Sequence, residues 1–385
     1  MPWIETEPMT EKVNFIFAYL NNKDATFQDL CTRFNINRKT GYKYIKRYKE
    51  LGIDGLKELS RTPHTCINRL TLDVEESILK VKHCYPTWGS KKILNWLEQE
   101  RSECVWPARS TIDEVLKRHH LVKPAKRRKR FMSYKNPLAL CLEPNDVWSM
   151  DYKGQFRLGN QKLCYPLTVT DNFSRYLFAV DAAYDISGRQ TKQVLTHLFN
   201  EFGLPQAIRT DNGSPFASNG LGGLSKISVW LIKLGITPER IRKGHPQENG
   251  RHERMHLTLK QETTLPPGWD LKEQQRAFNQ FRGIFNEQRP HEALQFKRPA
   301  QLYHASNRKM PSQLHEVEYD SSFLNTRRIR TNGTMKWNKK EIFVAESLIG
   351  ETIGLKPYSE EEWIIHYSHL ALAIFNEKTL KIAAI

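Results

Sequence analysis

The sequence predicts a multidomain chain of class α and α/β, with helical modules first, a mixed α/β domain next and a small β domain last. At 385 residues the chain is long for a single domain. Helix-length apolar periodicity, interrupted by short turns, fills residues 1–122. Strand-length and helix-length apolar segments alternate over residues 143–306, and short strands dominate residues 315–385. We therefore expect helical, α/β and all-β units in that order.

The composition favours a nucleic-acid partner in a reducing compartment. Lys and Arg number 59 against 42 Asp and Glu, a net charge of +17, and the commonest partner of such a basic chain is a polyanion. No apolar run approaches the ~20 residues that cross a membrane, and no secretion signal is visible. The six cysteines form no C-x-x-C pair, and the spacing of His64, Cys66, His83 and Cys84 does not fit paired zinc ligands. We expect a cytoplasmic protein without a membrane partner.

Residues 1–58 are predicted to form a helix-turn-helix domain. Apolar spacing gives a first helix over residues 11–20, and Thr26 and Asp29 match a capping box at the start of a second. A third helix is expected to begin at Asn37 or Arg38 and to end at a glycine. Helix, short turn and helix at these lengths are typical of this motif.

The third helix carries most of the positive charge of this module. Its basic residues are Arg38, Lys39, Lys43, Lys46, Arg47 and Lys49. A solvated basic face is the alternative interpretation, but the third helix is the one that reads DNA in such modules. We therefore predict DNA contacts at five positions, which are Arg38, Lys39, Lys43, Lys46 and Arg47.

Residues 66–122 are predicted to form a second helical domain, helix-turn-helix or winged-helix-like. Helices are expected over residues 72–83, from Ser90 onward, and over residues 107–120. Such a module fits either DNA binding or protein contact, and the sequence does not separate these roles.

Residues 123–142 are predicted to be a basic linker that follows DNA. The run KPAKRRKR occupies residues 123–130, and runs of this kind bind phosphates. The predicted DNA contacts here are Lys126, Arg127, Arg128, Lys129 and Arg130. A nuclear-import signal is the alternative.

The predicted α/β domain, residues 143–306, holds two acidic residues at strand ends. Asp151 closes the strand VWSMD, and Asp211 closes AIRTD just before an Asn-Gly turn. Taken singly these are weak signals, since an Asp before Asn-Gly is usually a turn residue. Asp146 and Asp171 are nearby acids of the same kind.

A third acid lies on the predicted helix of residues 244–262, GHPQENGRHERMHLTLKQE. Asn249, Glu253 and Lys260 recur at spacings of four and seven, so they share one helix face. Two strand ends and a helix that bring three carboxylates together can hold two divalent ions. Glu248 is a competing acid. His245, His252 and His256 are interpreted as structural, and contact with phosphate or water is the alternative.

Together these motifs resemble the catalytic core of DDE transposases and retroviral-type integrases. The pattern is W-S-M-D, then T-D-N-G 60 residues on, then N-G-R-H-E-R-M-H-x-T-L-K. D-N-F-S-R at 171–175 and N-x-x-R-P-H-x-A-L at 286–294 add to it. The chain is most similar to insertion-sequence transposases of the IS481 and IS3 groups, over roughly residues 10–385.

This resemblance implies an RNase H-like fold, an SH3-like β-barrel over residues 315–385, and a DNA transposase. Asp151, Asp211 and Glu253 would be both the catalytic triad and the ligands of two Mg²⁺ (or Mn²⁺) ions, with Asp151 bridging the two. The substrates would be double-stranded DNA, the terminal inverted repeats of the element and its target, held by a homo-oligomer near the bacterial nucleoid. Lys260 would face the DNA ends. Residues 218–225 would form a flexible loop.

Two other functions are compatible with such a fold. One is a domesticated DNA-binding protein with an integrase-like fold that no longer cuts DNA. The other is an RNase H-like nuclease that acts on RNA. The presence of all three carboxylates argues against the first, and the DNA-binding modules are superfluous to the second.

Overall fold

A computed structural model describes residues 8–21, 26–58, 70–122, 139–218, 220–242, 246–314 and 316–384. The chain divides into two compact units, Met1–Arg69 and Leu70–Ile385. Across those ranges no helix has both the length and the apolar character that a membrane span requires. The basic run at 123–130 lies outside the described residues, and so do its five predicted DNA contacts, which are Lys126, Arg127, Arg128, Lys129 and Arg130.

The first unit contains the predicted helix-turn-helix arrangement. Its helices are α1 (Pro8–Asn21), α2 (Phe27–Arg33) and α3 (Arg38–Leu51), followed by a 3₁₀ turn at Gly52–Leu56. Thr26 and Asp29 cap α2 reciprocally, as predicted, and Asn37 caps α3. At Gly41 a Cβ would lie 2.9 Å from the Phe27 ring, so α2 and α3 approach closely.

The basic face of α3 is largely exposed. Arg38, Lys39, Lys43 and Lys46 are exposed to solvent, while the Arg47 guanidinium lies over the Tyr44 ring. The opposite face packs into a core with α1 and α2, and its members include Phe15, Ile16, Leu30, Tyr44 and Ile45. One helix thus divides into an apolar face and a cationic face.

The second unit begins with a three-helix module. Its helices are α4 (Leu72–Cys84), α5 (Ser90–Glu100) and α6 (Arg109–Arg118). They enclose their own core around Trp88, Ile93 and Ile112. The module contacts later parts of the same unit, because Arg298 forms a 2.7 Å ion pair with Glu100.

A five-stranded mixed sheet forms the centre of the second unit. Its strands are β1 (Val147–Tyr152), β4 (Leu167–Asp171), β5 (Leu177–Asp181), β6 (Ala207–Thr210) and β7 (Thr237–Arg240), and β2 (Phe156–Arg157) with β3 (Leu163–Cys164) forms a separate hairpin. The sheet order is β5-β4-β1-β6-β7, antiparallel among β5, β4 and β1 and parallel among β1, β6 and β7. This mixture of strands and helices agrees with the predicted α/β domain, to which the structure adds the short hairpin.

Helices cover both faces of this sheet. They are α7 (Gly188–Phe202), α8 (Lys226–Lys233), α9 (Gly250–Thr263) and α10 (Leu271–Gly283), and a π-helical turn follows at Ile284–Gln288. One core joins the sheet to α7 and α8 through residues such as Trp148, Phe199 and Trp230. A second joins it to α9 and α10 through residues such as Met255 and Phe278. The sheet is therefore held rigidly between two layers of helices.

The C-terminal β region does not confirm the predicted barrel. After the short helix α11 (Pro299–Leu302), the strands are β8 (Asn325–Arg328), β9 (Thr334–Trp337), β10 (Lys340–Phe343), β11 (Thr352–Pro357), β12 (Glu362–Tyr367), β13 (Leu370–Asn376) and β14 (Lys381–Ala384). They form a five-stranded sheet, β14-β13-β12-β11-β8, and a separate two-stranded sheet of β9 and β10. In the described part of the chain these sheets are not closed on one another, because β9 pairs only with β10.

The loop at 218–225, which is predicted to be flexible, makes several contacts through its described residues. A 3₁₀ turn forms at Leu221–Gly223, and Arg240 donates to the Gly222 carbonyl at 2.6 Å. Gly222 has φ 60°, and a Cβ there would lie 2.6 Å from Leu372 of β13. The loop packs against the C-terminal sheet, a long-range contact that its sequence does not reveal.

Candidate active site

Two of the three predicted carboxylates come from neighbouring parallel strands. The register of β1 and β6 pairs Ser149 with Arg209. Continued by two residues, this register sets Asp151, in β1, beside Asp211, directly after β6. The Gly213 N–H donates to Asp211 Oδ1 at 3.0 Å, so a tight turn orients the second carboxylate.

The third carboxylate, Glu253, lies in the first turn of α9. This helix begins at Gly250, after a 3₁₀ turn at Pro246–Asn249, and is therefore shorter at its start than predicted. A carboxylate in the first turn is favoured by the helix dipole. Glu253 is exposed, unlike the buried residues on the sheet side of the helix.

The competing acids have structural partners. Glu248 is buried, and its carboxylate accepts hydrogen bonds from the backbone N–H and the guanidinium of Arg242 at 2.9 and 2.8 Å. Asp171 is buried and accepts from the backbone N–H groups of Asn145 and Ser174 at 2.9 and 2.7 Å. These bonds occupy their oxygens, which supports the choice of Glu253 over Glu248.

The electrostatics of Asp151 reflect the other two acids. The pKa of Asp151 is raised to about 7, mainly by burial and then by the negative charges of Asp211 and Glu253. The Tyr152 backbone and Lys153 act in the opposite direction. The charges of Asp211 and Glu253 thus both act on Asp151, and a cation bound at this carboxylate would offset them. In the side-chain conformations of the structure, the described ranges contain no group of three or more His, Cys, Asp or Glu residues that could hold a metal ion.

Two buried histidines fix α9 to the sheet beside Asp151. His252 bridges the Thr168 and Thr170 hydroxyls at 2.7 and 2.9 Å, and His256 Nε2 is 2.7 Å from the Thr168 hydroxyl. The Thr168 hydroxyl donates to the Asp151 carbonyl at 3.0 Å, so both imidazole Nε2 atoms are donors to it. Burial lowers the pKa of His252 to about 3 and that of His256 to about 2, so both rings are neutral.

This network supports the interpretation of these histidines as structural, but the sequence did not reveal their partners. Thr168 lies opposite Asp151 in the antiparallel register of β1 and β4, and Thr170 points to the same face two residues on. Two sequence features are consistent with this contact: a pair of threonines at alternating strand positions, and two histidines four residues apart on a helix.

Lys260 lies on an exposed part of α9, seven residues beyond Glu253. It lines a cavity of about 370 Å³ that Lys153 also lines, together with Phe156 and Leu259. The charge of Lys153 acts on Asp151, so this end of the cavity lies near that carboxylate. Lys153 and Lys260 thus place two positive charges around one cavity beside Asp151.

Comparison with known families identifies the domains of the chain. Residues 142–246 match a family model described as an integrase core domain, and residues 234–299 match a second model with the same description. A helix-turn-helix domain model matches residues 11–64, and a homeodomain-like domain model matches residues 40–116. Two overlapping segments of the chain are thus similar to integrase core domains, and the region before them is similar to helix-turn-helix and homeodomain-like domains.

Its relatives include proteins of insertion elements. The chain is 30% identical over 183 residues to the insertion element IS407 uncharacterized 31.7 kDa protein of Burkholderia multivorans, covering 47% of this chain and 63% of the relative. The insertion element IS476 uncharacterized 39.2 kDa protein of Xanthomonas euvesicatoria is 29% identical over 183 residues, covering 47% of this chain and 51% of the relative. The chain thus spans less than two thirds of either relative's length.

Solved structures with some similarity include a retroviral integrase core domain and a chain of a retroviral intasome. The HTLV-2 integrase catalytic core domain in complex with magnesium is 19% identical, with a TM-score of 0.34, over 42% of this chain and 99% of that one. The integrase chain of a simian T-cell lymphotropic virus intasome in complex with PP2A regulatory subunit B56 gamma is 17% identical, with a TM-score of 0.39, over 80% of this chain and 99% of that one. TM-scores this low add nothing to the sequence matches.

Proposed function

We propose that this protein is a DNA transposase that binds the ends of an insertion element and catalyses metal-dependent strand cleavage and strand transfer. The observation that carries this proposal is the arrangement at Asp151, beside Asp211 on a parallel strand, with the charges of both Asp211 and Glu253 raising its pKa. Proteins of insertion elements among its relatives favour this chemistry over that of a nuclease acting on RNA.

The donor set fits a pair of Mg²⁺ or Mn²⁺ ions. Asp151, Asp211 and Glu253 offer hard oxygen ligands, which these ions prefer. The mutual repulsion that raises the pKa of Asp151 is relieved by positive charge. Two such ions, when bound, activate the attacking oxygen and stabilise the leaving oxygen of a phosphoryl transfer.

The surrounding residues position these carboxylates. Asp151 is fixed by β1, whose partner Thr168 is bonded to both His252 and His256. The neutral rings hold α9, and with it Glu253, at a fixed distance from the sheet. Positioning of this kind is a large part of catalysis in phosphoryl transfer.

Basic residues outside the site would hold the DNA. The exposed cationic face of α3 suits the terminal repeats, and the basic run at 123–130 suits the adjoining backbone. Lys260 suits a phosphate beside the one that is cut. Joining two element ends to target double-stranded DNA requires two active sites, so we infer a homo-oligomer on DNA.

The test is a strand-transfer assay with DNA carrying the element's own ends, with and without Mg²⁺. Asp151→Asn, Asp211→Asn and Glu253→Gln should each abolish cleavage and joining while DNA binding persists. The exposed Asp185 is the matched control, and Asp185→Asn should leave activity unchanged. Wild-type DNA binding without cleavage in any divalent ion would instead favour a domesticated DNA-binding protein. If Glu248→Gln abolishes cleavage and Glu253→Gln spares it, Glu253 is not the third carboxylate.

A further inference from the structure

A basic cavity separate from the three carboxylates lies between the second helical module and α9. Its volume is about 630 Å³. The starts of α5 and α6 line one side, and the outer face of α9 and the segment after the π-helical turn line the other. The D-N-F-S-R motif contributes Asn172 and Arg175, and N-x-x-R-P-H-x-A-L contributes Arg289 and His291. The carboxylate chemistry uses neither motif.

Some of the cations in the cavity are paired. Arg289 forms a 2.6 Å ion pair with Glu262, and Lys91 is paired with Glu292. Arg109 lies 3.6 Å from Asp113. Glu262, Glu292 and Asp113 are therefore already paired. Asp171, which also lines the cavity, is bonded to backbone N–H groups.

Four further cations lack an acidic partner. In the part of the chain that the structure describes, no carboxylate forms an ion pair with Lys92, Arg175, Arg251 or Arg254. Burial, followed by the charge of Arg289, lowers the pKa of Lys92 to about 8. Burial and the charge of Arg251 lower the pKa of Arg175. Uncompensated cations in a half-buried cavity destabilise the fold unless an anion joins them.

Two buried donor atoms at the cavity wall lack partners. Asn172 is 3% exposed and uses its Oδ1 to accept from Ser149, but its Nδ2 has no hydrogen-bond partner. The Nε of Arg175 is likewise buried and without a partner. Buried donors are nearly always satisfied in folded proteins, so these two indicate a missing acceptor.

The helix ends that line the cavity also favour an anion. Neither α5 nor α6 has a side-chain cap at its N-terminus, and neither carries an acidic residue in its first turn. Gly89, Ser90 and Lys91 at the start of α5 all line the cavity. Free N–H groups and the positive end of the helix dipole bind phosphate groups well.

The cavity lies next to the path of any DNA that reaches Glu253. Arg254, Thr258 and Gln261 line it from α9, and they recur at helical spacing on one face. At ~100° per residue, that face is roughly a quarter turn from Glu253. A DNA strand that passes the three carboxylates can therefore follow the surface of α9 into the cavity.

We propose that this cavity binds phosphates of the DNA backbone, and that the second helical module closes over the strand as one wall of the site. The proposal rests on the proposed function in one respect, that the polyanion is DNA. Lys92 and Arg254 pair with phosphates from opposite walls. The sequence left the role of the second module open between DNA binding and protein contact, and this assigns it to DNA.

The test measures binding to a random-sequence duplex over a range of salt concentrations, using fluorescence anisotropy and the full chain. The affinity K falls as the salt concentration rises, and each phosphate contact removed reduces the steepness of log K against log salt by about one. Arg254→Gln should therefore lower the slope by about one, and Lys92→Gln with Arg254→Gln by about two. Arg254 is exposed, so the single variant folds even if the double variant does not. The matched control is Lys272→Gln with Arg276→Gln on the exposed side of α10, which should keep the wild-type slope.

The outcomes separate this proposal from the catalytic one. Asp151→Asn should lose cleavage and keep the wild-type slope, so absence of cleavage alone leaves the cavity proposal standing. A slope in Arg254→Gln equal to that of the Lys272 and Arg276 control overturns it. Calorimetry with inorganic pyrophosphate tests the other source of phosphate. Pyrophosphate binding that Arg254→Gln removes, with duplex binding unchanged, would show a small-anion site and overturn the assignment to DNA.

Discussion

His256 Nδ1 lies 3.9 Å from Asp151 Oδ2, while its Nε2 donates to the hydroxyl of Thr168. The burial that keeps this ring neutral also desolvates Asp151 and raises the pKa of the carboxyl. The carboxylate therefore has no protein cation paired with it among the described residues, and a neutral ring faces it. A site of this kind is arranged to accept positive charge from outside the chain.

Removing the charge of Asp151 should stabilise the metal-free protein. At pH 8, above its raised pKa of about 7, Asp151 is ionised, and the stability that its protonated form provides at low pH has been lost. Asn keeps the neutral shape, so we expect Asp151→Asn to raise the free energy of unfolding by roughly 1–4 kcal/mol. Thermal melting at pH 8 without divalent ions measures this.

Magnesium should reverse the order of the two proteins. Mg²⁺ should raise the melting temperature of the wild type and leave that of Asp151→Asn nearly unchanged, because the variant lacks a ligand. Asp185→Asn, at an exposed position, should behave as wild type in both conditions. An equal magnesium response in wild type and Asp151→Asn would show that Asp151 does not bind the ion.

Lys92 should make the stability of the fold depend on pH in the direction opposite to Asp151. Its pKa is lowered to about 8 in the folded chain from an ordinary value of 10.5, so the unfolded chain binds more protons between those pH values. Stability should therefore rise as the pH rises from 8 to 10.5, and the protonated lysine destabilises the fold below pH 8. We expect Lys92→Gln to raise the free energy of unfolding at pH 7 by about 1–3 kcal/mol, as measured by urea denaturation, and to flatten that rise.

The comparison for this prediction is Lys272→Gln, which removes an exposed lysine from α10. It should change neither the stability at pH 7 nor its dependence on pH. The charged groups that face Lys92 are Arg289, Arg254, Glu262 and Glu292. If Lys92→Gln lowers stability at pH 7, Lys92 makes a favourable structural contact and the cavity is not strained by its charge.

The basic face of α3 should determine the salt dependence of binding to the element's ends. Replacing the exposed Arg38, Lys39 and Lys43 with Ala should weaken binding and lower the slope of log K against log salt by about three. Lys49→Ala, in the last turn of the same helix, should have a smaller effect, since the N-terminal part of a recognition helix enters the groove. A nuclease footprint on the ends that the triple variant leaves unchanged would show that another module reads them.

Local sequence signals predicted most of the elements, because caps and periodicity are short-range. The capping box of Thr26 and Asp29 and the cap at Asn37 place two helix starts correctly. The alternation of strands and helices predicted the central sheet, and Asp151 and Asp211 lie at its strand ends as expected. These features depend on neighbours a few residues away.

Features that depend on distant partners were not predictable from one sequence. The contact of His252 with Thr168 spans 84 residues, and no local pattern specifies it. The basic cavity combines the start of α5 with motifs far along the chain, whose side chains meet only in the folded unit. The predicted barrel was not confirmed for a similar reason. Sequence patterns indicate where strands lie but not how they pair, and β9 and β10 form a separate sheet.

Lys260 should act on the DNA and not on the metal. It lies about 10 Å along α9 from Glu253, given a rise of ~1.5 Å per residue. One alternative is an ion pair between Lys260 and Glu262, but the structure shows Glu262 paired with Arg289 and not with Lys260. Lys260 is exposed beside Lys153 at the edge of the carboxylate site, where a flexible ammonium can reach a phosphate.

We expect Lys260→Ala to shorten the lifetime of the protein–end complex and to weaken strand transfer by about 10-fold, the equivalent of one charged hydrogen bond. Lys260→Glu should be worse, because it sets a negative charge near phosphate, and Lys272→Ala should match the wild type. Gel-shift lifetimes, measured beside a metal titration of cleavage, check this. A wild-type lifetime in Lys260→Ala, together with a shifted metal midpoint, would place Lys260 in the metal site instead.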